Sequence, residues 1–420
     1  MAAFIVLGAV AGFAQDPCGD AEAITVLGDK FRTQFADKTI EGRKTAIETG
    51  KQFLEKYGTC ASAEELATYL KGQIPKMEEA LRKLQEAKAK SDLTTPFDTA
   101  LKTKNLDDVY TYGKQILAKY PDEFRLVEIV LGAAGGEEAF KGNYKYADDA
   151  LKFAKQSITD LEAGKSFTIG DKTAYGISLK GGYNFEFPNK EDAIGWMNFY
   201  AGYINNVVKK DKSASLPYLY KATQAASDAK SKPLPYSLIG YYYLAEGDKL
   251  TDEIQALIKA QDPKDTEEVA KQKVEAIKAK VALSNGTNER AADAFSRALP
   301  RITDAAYKTE IKKALDFAYN RRFGKMDGLD AWVANSQKQP FANPTTPVTP
   351  ISDPEPTAPA STTTTTTTAP TAPEVKPSSP PVKSPTTAPA KPAPTTTAKP
   401  AAGTKPQAKL KKAVAKKKGA

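Results

Sequence analysis

The chain has 420 residues, 41% hydrophobic and 26% charged, which suits a lean buried core in two or three domains or one long repeat array. Histidine is absent, which excludes imidazole general bases, triads with a histidine member and histidine-ligated zinc. The net charge of +9 is uneven: residues 341–420 hold 11 lysines against 3 acids, and the remainder is nearly neutral, so a basic isoelectric point does not imply a basic groove on the folded part.

The chain opens on an apolar stretch ending in Gly12-Phe13-Ala14. Residues 1–14 read as an export signal cleaved after Ala14, too short to be a permanent membrane anchor. The usual basic start is missing; an export signal of the usual form would need a start further upstream. A frayed apolar terminus is the alternative. Export would put Cys18 and Cys60, the two cysteines, in an oxidising compartment. A disulfide between them would close the first helical hairpin; two unpaired thiols are the alternative. Gln15-Asp16-Pro17 before Cys18 does not match a lipoprotein box.

Residues 15–340 carry helical periodicity in pairs. Asp20 caps a first predicted helix with Ile24, Leu27, Phe31 and Phe35 inward, and Thr39 caps a second ending at Gly58. Ser62 with Glu65 spells a capping box for a third, in which Pro75 predicts a kink or break. A hairpin over 97–120 follows. The best-formed pair spans 120–161. Tyr144, Ala147, Leu151, Ala154, Ile158 and Leu161 share one face of its second helix, and Gly142-Asn143 closes its first.

Residues 164–190 break the pattern with recurrent glycine and loosely alternating β-branched and aromatic residues. They predict a long loop with a small hairpin, read as a surface insertion and as the first place to seek a ligand. Helices resume at Glu191. Further pairs are predicted around Tyr236 to Ile258, over 266–300 with a break at Asn285-Gly286, and over 303–339. Residues 341–420 hold 17 of the 28 prolines and a threonine run at 362–368. With few large apolar side chains they are expected to be a disordered tail.

Trp196, Tyr200, Tyr203 and Tyr242 are the candidate partner-binding residues, from an aromatic set that includes Phe199, Tyr241 and Tyr243. The competing reading places such helically spaced aromatics in the core. The adjacent acids Asp107-Asp108, Glu137-Glu138 and Asp148-Asp149 point apart on a helix and read as solvated faces. Residues 327–330 are too short for a calcium loop and read as a helix cap. There is no Walker loop, Gly-x-Gly-x-x-Gly or Cys-x-x-Cys, so no catalytic residue, metal or cofactor is expected.

At about 34–40 residues per hairpin, the chain resembles a tetratricopeptide repeat array. Gly135, Ala147, Leu151 and Ala154 match that repeat's small-small-large-small pattern, and Pro121 its closing proline. Gly240 with Ala245, and Ala291, Phe295 and Ala298, are partial matches, and Pro340 would close the last repeat. The resemblance covers roughly 35–340 and implies an all-α solenoid of antiparallel hairpins with a concave face for proteins or peptides; another solenoid type is the alternative. The function expected is a non-enzymatic scaffold or adaptor of the cell envelope, periplasmic or secreted. Its basic tail would touch an anionic envelope polymer or lipid headgroups. The alternative is an intracellular nucleic-acid-associated protein using the lysines of the tail.

Overall fold

The computed structural model describes residues 16–169 and 171–353. The expected export segment, its cleavage site and the chain beyond Asp353 lie outside the described residues. The described chain is mostly helical.

Helix α1 (Ala21–Ala36) is capped by Asp20, which accepts from the Ala23 N–H, and α2 (Ile40–Tyr57) by Thr39, which accepts from Gly42. The disulfide forms. Cys18 lies in a turn ahead of α1, Cys60 follows α2, and their Cα atoms are 5.2 Å apart.

Helix α3 (Glu64–Thr103) departs from expectation. The Ser62/Glu65 box does not form, because a 3-10 turn occupies Ala61–Ala63 and the cap position falls on Ala63, which has no side-chain acceptor. Pro75 and Pro96 lie inside an unbroken 40-residue helix. Each proline removes a partner from the carbonyl four residues earlier. Those carbonyls belong to Lys71 and Asp92, both exposed, so water can replace the lost bond. The expected hairpin over 97–120 is the end of α3 turned back into α4 (Leu106–Lys119), with Lys104 at the left-handed corner.

Helices α5 (Leu126–Phe140) and α6 (Ala147–Glu162) form the central hairpin as expected, closed by Gly142 at φ +87°. Helix α5, though, is buried almost all round over its first three turns. Its glycines permit this: a Cβ on Gly135 would lie 2.2 Å from the Tyr110 hydroxyl. That hydroxyl donates to the Leu131 carbonyl at 2.6 Å.

The segment 164–190 holds two short antiparallel strands, β1 (Thr168–Ile169) and β2 (Lys172–Thr173), with Thr168 opposite Thr173. It is not a surface appendage. Phe167, Phe185 and Phe187 are buried in the largest core cluster, and the Tyr183 N–H bonds the Leu101 carbonyl at 2.9 Å.

Helix α7 (Lys190–Tyr203) continues into a π-helical turn, Ile204–Val208, and α8 (Lys212–Gln224) packs back on it. Two expected hairpins are single helices instead: α9 (Leu234–Lys259) and α10 (Glu267–Ala298). The true hairpin here is α9 against α10. Asn285-Gly286 does not break α10, because its glycine makes room for a neighbour rather than a turn. Helices α11 (Ala305–Phe323) and α12 (Leu329–Ser336) follow as a pair, with Gly324 and Gly328 at positive φ.

Each helix from α1 to α10 packs on its successor, but lengths run from 8 to 40 residues. The core forms three clusters. One joins α1, α2 and the start of α3 around Phe31, Phe53 and Leu70; the second centres on α5 and α7; the third gathers α9, α10 and α11 around Phe295. No helix of the described residues is long and apolar enough to cross a membrane. The packed body also extends past Pro340. Residues 341–353, expected to begin the tail, lie along α10 as a non-helical strap, with a turn at 343–346 in which the Thr346 N–H donates to the Asn343 carbonyl at 3.1 Å.

Candidate functional site

Seven residues of α10 recur at helical spacing on one face: Ala282, Asn285, Gly286, Glu289, Arg290, Asp293 and Arg297. Apolar side chains elsewhere on α10, Phe295 and Ala298 among them, bury against α9 and α11. The polar face receives the strap. The strap runs antiparallel to α10, and the Arg297-to-Ala282 contacts span about 22 Å of helix axis.

At its root, Arg297 Nη2 donates to the carbonyls of Ser336 at 2.9 Å and Gln339 at 2.7 Å. Arg297 is held by Asp293, 2.9 Å from its Nε. Burial pushes the Asp293 carboxyl above the usual range, against hydrogen bonds from Ser336 and Arg297. Phe341 is buried beside Tyr236 and Tyr220, and the Tyr220 hydroxyl donates to the Phe341 carbonyl at 3.4 Å.

Arg290 is the central clamp. Its guanidinium donates to the carbonyls of Thr346 at 2.8 Å, Pro347 at 2.7 Å and Asn343 at 3.4 Å. Tyr243 accepts a further bond from it at 3.0 Å. Among the described residues no carboxylate pairs with Arg290, so backbone oxygens complete its coordination.

Gly286 supplies the close approach. A Cβ there would lie 2.2 Å from the Thr349 carbonyl oxygen and 3.0 Å from Val348 Cγ1. Any other residue would push the strap off the helix. Beyond it, Asn285 Nδ2 donates to the Ile351 carbonyl at 3.0 Å, and the Ile351 N–H returns a bond to the Ala282 carbonyl at 2.8 Å. Arg322 of α11 finishes the site, bonding Glu289 and Asp353, each at 2.7 Å.

The donors are therefore on the helices and the acceptors on the strap. Five strap carbonyls, of Phe341, Asn343, Thr346, Pro347 and Ile351, accept from body side chains. Among the described residues only Ile351 offers the helices a backbone N–H in return. A cleft of about 230 Å³ opens at the strap's root, lined by Lys230, Tyr236, Arg297, Arg301, Pro340 and Phe341 among others.

The sequence-derived aromatic candidates do not form one site. Tyr200 and Tyr203 are buried, Tyr200 in the second cluster and Tyr203 in the third, which removes them from any surface groove. The Tyr200 hydroxyl faces the Glu137 carboxyl. Trp196 is half-buried against Phe199 and Tyr200, with Lys232 over its ring, and half-buried Tyr242 stacks edge-on against Tyr243. Only Trp196 and Tyr242 keep accessible surface, and they belong to different clusters.

Two further groups escaped the sequence reading. Glu128 of α5 and Asp160 of α6 are both buried at the end of the central hairpin. Asp160 is held by Arg125 at 3.3 Å, Lys165 at 2.9 Å and Gln156 at 2.9 Å. Arg125 also donates to the Ser166 carbonyl, which ties the inserted segment down. Glu128 keeps an unpartnered Oε2; burial, then the Asp160 charge, raise its carboxyl to about 7. Among the described residues no cluster of three or more acids, cysteines or histidines could hold a metal ion.

No protein-family model, curated protein or solved structure matches the chain.

Proposed function

We propose that this chain is a non-enzymatic scaffold that binds a protein or peptide partner through its helical body, with the polar face of α10 as the binding surface. The observation that carries the reading is the strap itself: α10 already holds a non-helical chain by four of its carbonyls, and Tyr220 of α8 holds a fifth. The successive packing of neighbouring helices supports a tetratricopeptide-like solenoid as its architecture. An exported, cell-envelope setting fits the Cys18–Cys60 disulfide. The lysines of 341–420 would then make a salt-sensitive contact with an anionic envelope polymer or lipid headgroup.

The test is retention of partners from envelope extract by the immobilised full-length chain, beside the Arg290→Ala variant, at low and at high salt. A partner kept by the native chain at both salts and lost by the variant supports the reading. Retention of nothing at low salt refutes it. Recovery of the full-length chain from cytoplasm with Met1 intact, bound to nucleic acid, would favour the intracellular alternative.

A further inference from the structure

Resting on the scaffold reading, we infer that the α10 face selects proline-rich, non-helical segments, and that residues 343–353 are an intramolecular occupant which an external segment of that kind displaces. The inference comes from the chemistry of the contacts. A proline-rich chain presents carbonyls but lacks N–H groups at its prolines. A β-sheet edge is poorly suited to such a chain, because it needs donors and acceptors from both sides. The α10 face matches it: Arg290 and Asn285 donate to strap carbonyls, and a backbone N–H is asked for at Ile351 alone. Pro344 and Pro350 fall between those anchor points without loss of a bond, and Pro347 is itself one, accepting from Arg290 through its carbonyl.

Selectivity has three further sources. Gly286 leaves room for a backbone to come within contact distance of the helix, as Thr349 does. Pro344 is buried and Val348 packs against the third core cluster, which sets two apolar anchors four residues apart. Arg322 asks for an acid five residues after Val348, met in the strap by Asp353. Prolines also reduce the ordering entropy of a bound extended segment, which favours their use as ligands.

Phe341 fixes the root of the strap in the third core cluster, and from Asn343 onward the strap is poised for exchange. Its contacts are mostly hydrogen bonds to exposed or half-buried backbone, and Thr345, Thr346, Pro347, Thr349 and Pro350 are exposed. Because it is tethered, it competes at an effective concentration on the order of millimolar. The same chain repeats the Pro-Thr-Thr of 344–346 at 385–387 and 394–396.

The experiment uses the full-length chain and a fluorescein-labelled peptide with the sequence of 343–353. A strap-released variant carries Val348→Asp and Asp353→Lys, both outside the receiving face. Fluorescence anisotropy is expected to show the peptide binding the released variant at least tenfold tighter than the native chain. Adding Arg290→Ala to the released variant should cost at least tenfold. A peptide with its three prolines replaced by alanine should bind several-fold more weakly. Circular dichroism confirms that each variant keeps its helix content. If the folded, released variant gains no affinity, or the alanine peptide binds equally well, the inference is overturned. Continued retention of an envelope partner in that event would leave the scaffold reading standing; loss of both would remove both.

Discussion

Glu128 provides the sharpest quantitative test of the interior. The residue is 8% exposed, and its carboxyl carries an oxygen without a partner and feels the Asp160 charge. In the folded chain it is raised from an ordinary 4.5 to about 7, first by burial and then by the Asp160 charge. A raised acid is protonated in the folded state when the unfolded chain has already released the proton. Stability must therefore fall as pH rises through that window, from about 4.5 to about 7, by roughly 3 kcal/mol. Below the window both states hold the proton and there is no penalty; above it the penalty is complete. The assay is urea unfolding of the native chain and Glu128→Gln across that range. Glutamine has nearly the same shape and cannot ionise, and Asp160 still holds Arg125 and Lys165. The stability of the variant relative to the native chain is expected to grow by about 3 kcal/mol across the window, while the effects of groups that do not interact with Glu128 cancel in the difference. A difference that stays constant with pH would refute the reasoning, as would a carboxyl carbon resonance of Glu128 titrating near its ordinary value.

Reduction of the disulfide tests the N-terminal unit. The bond closes a loop with a sequence separation of 42, for which chain entropy gives about 4 kcal/mol. Under reductant, amide exchange should accelerate in α1 and α2 and stay unchanged in α5 and α10, since the first core cluster shares no residue with the others; uniform acceleration would count against it. Gly135→Ala should destabilise by about 2 kcal/mol despite alanine's better helix propensity, because the new methyl meets both the Tyr110 hydroxyl and Ala150 Cβ. Adding Tyr110→Phe removes the nearer obstacle, and thermal melting should recover part of the loss.

The elements legible in the sequence were those whose signals are local. Asp20 and Thr39 cap helices because a side-chain oxygen two or three residues ahead of free N–H groups needs nothing distant to act. Gly142 closes the central hairpin for the same kind of reason. The disulfide was legible because only one pairing exists. Pro75 does not break α3, because its cost depends on whether the orphaned carbonyl meets water, which is a property of the folded surface. Asn285-Gly286 misled. The pair has the composition of a turn, and the reason for its glycine, the Thr349 carbonyl, lies more than sixty residues away. Breaking α10 there disrupts the spacing that places Asn285, Arg290 and Arg297 on one face, and so conceals the site. The aromatic candidates show the opposite limit: helical spacing marks Tyr200 and Tyr203 as facing a neighbour, and that neighbour is the chain's own core.

Helix α3 has a mechanical consequence. It is about 60 Å long, with Leu70 and Met77 packed in the N-terminal cluster at one end and Phe97 and Leu101 in the next cluster at the other. Between them the stretch 82–88 is exposed and laced with helical ion pairs such as Arg82 with Glu79. The two ends are thus geared by residue count alone. One residue added within that exposed stretch would turn the disulfide-bound unit by about 100° about the helix axis and advance it by about 1.5 Å, without touching a single core contact. The N-terminal unit behaves as a dial set by the length of its shaft, and the bearing of whatever it presents can be re-indexed by insertion or deletion.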